Sequence, residues 1–377
     1  MISVYDNKKC CACNACADIC PQKAIVMKQD PEGFAYPIVD EAKCNDCGLC
    51  EKVCPAISLP QLNPEPEVYA LQLKDEEALK KSQSGGAFWA IAKPVLESGG
   101  VVYGAAFDDK MKVVYDRAET IQQAQKFHGS KYVQGDMAGI LPQIRSDLKA
   151  GRQVLFTGTA CHVAGVYKYL GRDYDNLLTI DLICHGVPSQ KVLDGFFDFV
   201  NKKYNSKVCD FNFRYYDVDK NIGWNGDKSE KSVLENGKEV ITNEYLRVFS
   251  SNWALRPYCY TCPYAKTTRV GDFSIGDFWG VENFSQTFNP ARGVSVVLVN
   301  SPKAKQMLPL LSEASIIEKA DMENVKKYQH NLKMPSNANK RRGKIMKRFI
   351  EKGFLSAYRL DRFYYMLYCL KQKVLKR

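Results

Sequence analysis

A run of four cysteines, Cys10-x2-Cys13-x2-Cys16-x3-Cys20-Pro21, recurs as Cys44-x2-Cys47-x2-Cys50-x3-Cys54-Pro55, a repeat of about thirty-four residues. Three closely spaced thiolates followed by a Cys-Pro pair match the bacterial two-cluster ferredoxin run. There the first three cysteines of a run hold one cubane and the fourth ligates the other. The spacing therefore assigns Cys10, Cys13, Cys16 and Cys54 to one [4Fe-4S] cluster and Cys44, Cys47, Cys50 and Cys20 to a second. Small residues between the ligands (Ala12, Ala15, Gly48) let amides turn toward sulfur. Cys11 falls outside the spacing and reads as a spare thiol. Structural zinc is the alternative, but zinc knuckles use two cysteine pairs, and complete triplets closed by Cys-Pro have no purpose around two separate tetrahedral ions.

With fifteen cysteines in 377 residues, no apolar run near the length of a membrane span and no apolar leader after MISVYDNKKCC, the expected address is cytoplasmic. In that compartment thiols serve metals rather than a disulfide framework. The formal charge of +11 is no signal for nucleic acid, because residues 340–377 carry thirteen Lys/Arg against Glu351 and Asp361, which accounts for all of it. The rest of the chain is balanced, so no nucleic-acid partner is expected. The tail interleaves its cations with Phe349, Phe354, Tyr358, Phe363, Tyr364, Tyr365 and Tyr368. That pattern fits either a terminal helix laying its aromatic face on the body or an interfacial helix making peripheral contact at the inner face of the membrane.

The domain reading is a ferredoxin domain over 1–60, a Pro-rich linker over 61–67, two further regions over 68–150 and 151–335, and the tail at 340–377. From Val68 onward, VYALQL, VVYGAAF, QVLFT, LLTIDLI and GVSVVLV are short β-rich apolar runs alternating with helical segments. They predict an α/β fold with a predominantly parallel sheet, plus an antiparallel portion around 207–245 with a hairpin at Asn236-Gly237. Three loops invite a chemical reading. Ser84, Gly85 and Gly86 precede a helical segment and can offer amides to a phosphate. Gly158-Thr159 and Cys184-His185-Gly186 each leave a predicted strand. Cys161, Cys184, Cys259 and Cys262 lie at loop ends, where a third cubane, packed free thiols and a structural zinc all remain open. Cys209 and Cys369 read as core residues.

The ferredoxin repeat, the linker, SQSGGAFWA, FHGSKYVQ, FTGTACHVAG, IDLICHGVPS and CYTCPYAKTTRVGDFSIGDFWG together resemble the coenzyme F420 hydrogenase/dehydrogenase beta-subunit family over roughly residues 1–300. The resemblance implies FAD beside iron-sulfur clusters in a mixed α/β flavin-binding domain. It makes Cys161, Cys184, Cys259 and Cys262 the ligands of a third, flavin-proximal [4Fe-4S] cluster. It places Ser84, Gly85, Gly86, Lys131, Tyr132, Gly158, Thr159, His185 and Gly186 in flavin-site loops, with His185 the candidate proton donor. Asp277 reads as either a ribose contact or a turn cap. Ala160, His162 and Gly271 depart from the family's usual residues.

The expected function is that of an oxidoreductase passing electrons between a ferredoxin-like carrier and an organic substrate. The alternative is an electron-transfer subunit that wires a partner oxidoreductase. A zinc-stabilised binding module is the third reading.

Overall fold

The structure is a computed structural model that describes residue 2, residues 9–217 and residues 229–375. Part of the predicted antiparallel portion, 218–228, lies outside the described residues.

The first module is built on a hairpin of β1 (Ile25–Gln29) and β2 (Ala35–Val39), paired antiparallel. Its two short helices, Ala15–Ile19 and Leu49–Lys52, each begin after a cysteine loop. The repeat is structural as well as sequential. Ala12 (φ 54°) and Asn14 (φ 65°) in the first loop correspond to Asp46 (φ 52°) and Gly48 (φ 72°) in the second, all left-handed. That geometry turns amides inward: the N–H of Ala12 donates to Cys10 Sγ at 3.3 Å and that of Asp46 to Cys44 Sγ at 3.4 Å.

The body is one twisted sheet flanked by helices. Its strands are β3 (Glu67–Leu73), β4 (Val101–Phe107), β5 (Val113–Ala118), β6 (Val154–Thr159) and β7 (Leu177–Leu182). A separate three-stranded antiparallel sheet follows, made of β8 (Val208–Tyr215), β9 (Ser229–Leu234) and β10 (Glu239–Thr242). The main sheet is completed by β11 (Phe273–Asp277), β12 (Ser295–Val299) and β13 (Ser315–Ala320). The order is β13-β3-β12-β11-β7-β6-β4-β5. The hairpin at Asn236-Gly237 forms as expected, with Gly237 at φ 79° donating to the Leu234 carbonyl.

The expectation of a predominantly parallel sheet needs correction. Only β4, β6, β7 and β11 form a parallel block; β5, β12, β3 and β13 pair antiparallel on its two sides. An apolar strand buried on both faces looks the same in sequence whichever way it runs, as β12 does with all five residues buried. Strands from 68–150 and 151–335 interleave here, so both regions build a single folded body. The strand β3 already begins at Glu67, and Asn63 before it is docked, its side chain donating to the Gly271 carbonyl at 2.9 Å.

The parallel block is fixed at its centre by buried polar groups that are fully engaged. Arg269, 2% exposed, donates to Asp181 at the end of β7 and to the Leu182 carbonyl. Asp272 accepts from the amide and hydroxyl of Thr179 and from Ser301. Gly271 accounts for one departure from the family pattern, because a Cβ there would meet the Asp181 amide nitrogen and the Phe273 carbonyl at 2.9 Å. These contacts align the carboxyl ends of β7 and β11, where the polypeptide opens into a cavity.

The terminal element spans Arg342–Leu375 with a break at Gly353, φ 76° and ψ 179°. Before and just after the break, Ile345, Met346, Phe349, Phe354 and Ala357 are buried against the helix Gln190–Tyr204 and its neighbours. Packing on the body thus describes the first part of the tail; between residues 363 and 372 the side chains are largely exposed.

Candidate functional site

The cysteines of the ferredoxin module fall into two groups. Cys10, Cys13, Cys16 and Cys54 line one cavity, and Cys20, Cys44, Cys47 and Cys50 line another. This is the crosswise grouping expected from the spacing, with the last cysteine of each run facing the opposite triplet. The two differ in burial: Cys10, Cys13, Cys16 and Cys54 are buried, whereas Cys47 is exposed and Cys20, Cys44 and Cys50 are intermediate.

A third group forms where the parallel strands end. Cys161 opens the helix Ala160–Leu170 directly after β6, Cys184 follows β7, and Cys259 and Cys262 lie on the turn at Pro257–Thr261 and just after it. All four line the large cavity at the carboxyl ends of the strands. Burial raises the Cys184 pKa well above its ordinary value, and the neighbouring Cys259, Cys161 and Cys262 raise it further. Burial chiefly, then Cys161, pushes Cys259 to about 12 and Cys262 to about 11. A cationic metal core bound among such thiols would favour their thiolate forms.

Among the described residues, no three His, Cys, Asp or Glu side chains converge as ligands of a single metal ion. Four sulfurs on one tetrahedral zinc would stand about 3.8 Å apart, given Zn–S bonds of about 2.3 Å. Backbone amides donate to the Cys10, Cys20, Cys44 and Cys184 sulfurs, the kind of donor that surrounds iron-sulfur clusters.

Two residues to which the sequence assigns no role join the modules. The guanidinium of Arg256, 1% exposed, donates to the carbonyl of Cys10, to the carbonyl of Ala35 at 2.8 Å and to Gln134 Oε1 at 2.8 Å. It stacks over Tyr36 at 4.6 Å. His162 places Nε2 3.1 Å from the Cys11 carbonyl and Nδ1 3.1 Å from Tyr115 Oη, and burial pulls its pKa down to about 4, so the ring is neutral. Cys11, a spare thiol by its spacing, lies on the walls of both the buried ferredoxin cavity and the large cavity. Its Sγ is 3.8 Å from the Cys161 carbonyl. Gly165 permits this approach, since a Cβ there would meet Cys13 Cβ at 2.5 Å.

The predicted loop residues divide. Ser84, Gly86, Lys131, Gly158, Thr159, His185 and Gly186 all line the large cavity. Gly85 does not, and its amide, expected to be offered to a phosphate, instead donates to Ser295 Oγ at 2.9 Å. It is a glycine because a Cβ would meet the Leu71 carbonyl at 2.0 Å, where the loop crosses β3. The Gly86 amide is also taken, by the Gln83 carbonyl. The helix Ala87–Glu97 starts here, and its Ala87 and Phe88 line the cavity; the first amides of a helix have no partner within it. Tyr132 is absent from the cavity wall. Its ring stacks on Phe249 at 4.6 Å in the core, a place invisible to a motif that names neighbours without their directions.

His185 is held on both ring nitrogens, Nε2 by Asn252 Oδ1 at 2.6 Å and Nδ1 by Ser336 Oγ at 3.2 Å. Such anchoring suits orientation of the Cys184–Gly186 loop. The carboxylate of Asp277 pairs with Arg214, and the residue also lines the large cavity.

The cavity wall also carries polar side chains from 83–84 and 128–131. Gln83 Oε1 and His128 Nε2 are buried without a hydrogen-bond partner. Lys131 Nζ donates to the carbonyls of Lys126 and His128, at 3.0 and 2.7 Å, and among the described residues pairs with no carboxylate. Burial lowers its pKa to about 7.

Comparisons with known proteins give the class. Residues 151–325 match the family model for the C terminus of the coenzyme F420 hydrogenase/dehydrogenase beta subunit, and residues 9–57 match a 4Fe-4S dicluster domain. The stretch 151–325 is thus similar to the C-terminal region of that beta subunit, and the amino-terminal end carries a ferredoxin-like iron-sulfur module. Among solved structures, a chain of the F420-reducing [NiFe] hydrogenase complex from Methanosarcina barkeri shares the fold, with a TM-score of 0.50 at 18% identity. The match covers 77% of this chain and 94% of that one. No curated protein matches the chain.

Proposed function

We propose that the protein is an iron-sulfur flavoprotein that exchanges electrons between a one-electron carrier and a two-electron organic reactant. The observation that carries this reading is the succession of cysteine groups from the surface inward. Exposed Cys47 marks the outer group, the buried Cys10 group follows, and the Cys161 group stands in the wall of a cavity that also carries polar side chains. When bound, [4Fe-4S] clusters carry single electrons and a flavin collects two of them for release as a hydride.

The residues of the chain do the holding. Three cysteine quartets would each hold one cluster: Cys20, Cys44, Cys47 and Cys50; Cys10, Cys13, Cys16 and Cys54; and Cys161, Cys184, Cys259 and Cys262. Arg256 and His162 fix the peptide around Cys10 and Cys11 so that the second quartet abuts the third. FAD fits the remaining wall. Lys131 and the first amides of the helix Ala87–Glu97 would meet its pyrophosphate, and Gln83 and His128 have unspent polar atoms for it. Gly158 leaves its approach clear, because a Cβ there would already crowd Tyr115 Oη at 2.5 Å.

A second reading, in which the chain only wires a partner oxidoreductase, is favoured by its likeness to a chain of a multi-subunit hydrogenase complex. Turnover separates them. The purified holoprotein, supplied with reduced ferredoxin or viologen, reduces an organic acceptor unaided if the first reading holds; activity that appears only on adding a partner enzyme assigns the chain to the second.

A further inference from the structure

The distal part of the terminal helix has an unspent surface. After the break at Gly353, residues 354–375 run back along the preceding segment, and Arg341 sits over the Tyr364 ring at 4.2 Å. Past that point the helix continues beyond its support. Phe363, Met366, Leu367 and Leu370 are 49%, 52%, 41% and 53% exposed. Their spacing, i, i+3, i+4 and i+7, aligns them as one apolar stripe. At 100° per residue, Arg362 and Lys371 fall on its two flanks, where long cationic side chains can lie beside an apolar surface and keep their charges in water.

Charge decides among occupants. The tail from 340 holds thirteen cations against Glu351 and Asp361, and Asp361 is itself buried. A second copy would set this positive field against itself. A zwitterionic bilayer would leave it unanswered. An anionic lipid surface satisfies both the stripe and the flanking cations. Among the described residues no helix is long and apolar enough to cross a membrane, so the contact is one of lying on the surface.

We infer that residues 359–372 form an amphipathic anchor that seats the protein on an anionic lipid surface through Phe363, Met366, Leu367 and Leu370. The inference is independent of the redox reading, since it concerns where the protein sits.

Flotation of the full-length holoprotein with phosphatidylcholine vesicles, with and without phosphatidylglycerol, tests it. The protein is expected to float only with the anionic vesicles and to be released by salt. The Phe363→Ser/Met366→Ser/Leu367→Ser/Leu370→Ser variant is expected to lose flotation while keeping its iron content, which reports an intact fold. The anchor is overturned if the wild-type chain stays with the soluble fraction, if the variant floats as well as the parent, or if the stripe instead drives self-association without flotation.

Discussion

Arg256 donates to the carbonyl of Cys10, so one buried guanidinium links the iron-sulfur module to the turn that carries Cys259 and Cys262. The same side chain also holds Ala35 in the β1–β2 hairpin and Gln134 in the body. On the far side of the hairpin, Arg342 makes a two-pronged pair with Glu32. The module is thereby held by its backbone at the point where electrons would leave it.

Replacing Arg256 with Met would leave three acceptors, that of Cys10 fully buried, without their donor. A hydrogen bond to a charged group contributes about 1.5–3 kcal/mol, so Arg256→Met should cost at least about 3 kcal/mol. Denaturant unfolding followed by cluster absorbance checks the loss. The variant should also be cut by protease in the stretch 57–66 faster than the parent.

The crosswise cysteine grouping makes an asymmetric prediction. Cys20→Ser, although in the first run, should remove the outer cluster, and Cys54→Ser the buried one, each lowering iron by about four per chain. In the parent, a chelator should strip iron first from the outer group, where Cys47 is exposed. Iron analysis with electron paramagnetic resonance of the reduced protein distinguishes these outcomes.

Gly165→Ala sets a methyl group against Cys13. Overpacking of this kind costs about 1–3 kcal/mol. The spectrum of the buried ferredoxin cluster should shift while that of the outer cluster stays unchanged.

Lys131 supplies a pH test. Burial lowers its pKa to about 7, so in the ligand-free protein the side chain is cationic below that pH and neutral above it. A pyrophosphate favours the cation, so above about pH 7 binding must take up a proton. Flavin affinity should be highest below that point and fall by as much as about tenfold per pH unit above it. Lys131→Gln should flatten the profile and weaken binding on the acid side. Flavin titrations of deflavinated protein measure this.

What is legible in the sequence is local. The cysteine runs place their ligands within a few residues, and the Asn236-Gly237 turn fixes its own hairpin. Gly85 and Tyr132 depart from the loop reading because a motif says which residues are adjacent and not which way they face; the strand crossing at Leu71 and the stacking on Phe249 decide those two. Arg256 carries no spacing signal, since its partners Cys10, Ala35 and Gln134 are all more than a hundred residues away. Strand direction is hidden for the same reason, with β3 and β12 paired across most of the chain.

The most direct measurement of the central claim is the joint content of iron, acid-labile sulfide and flavin in anaerobically purified full-length protein. Three cubanes and one flavin predict about twelve irons, about twelve sulfides and about one FAD per chain. Zinc in place of iron, or a fully iron-loaded protein that takes up no flavin on reconstitution, would contradict the account.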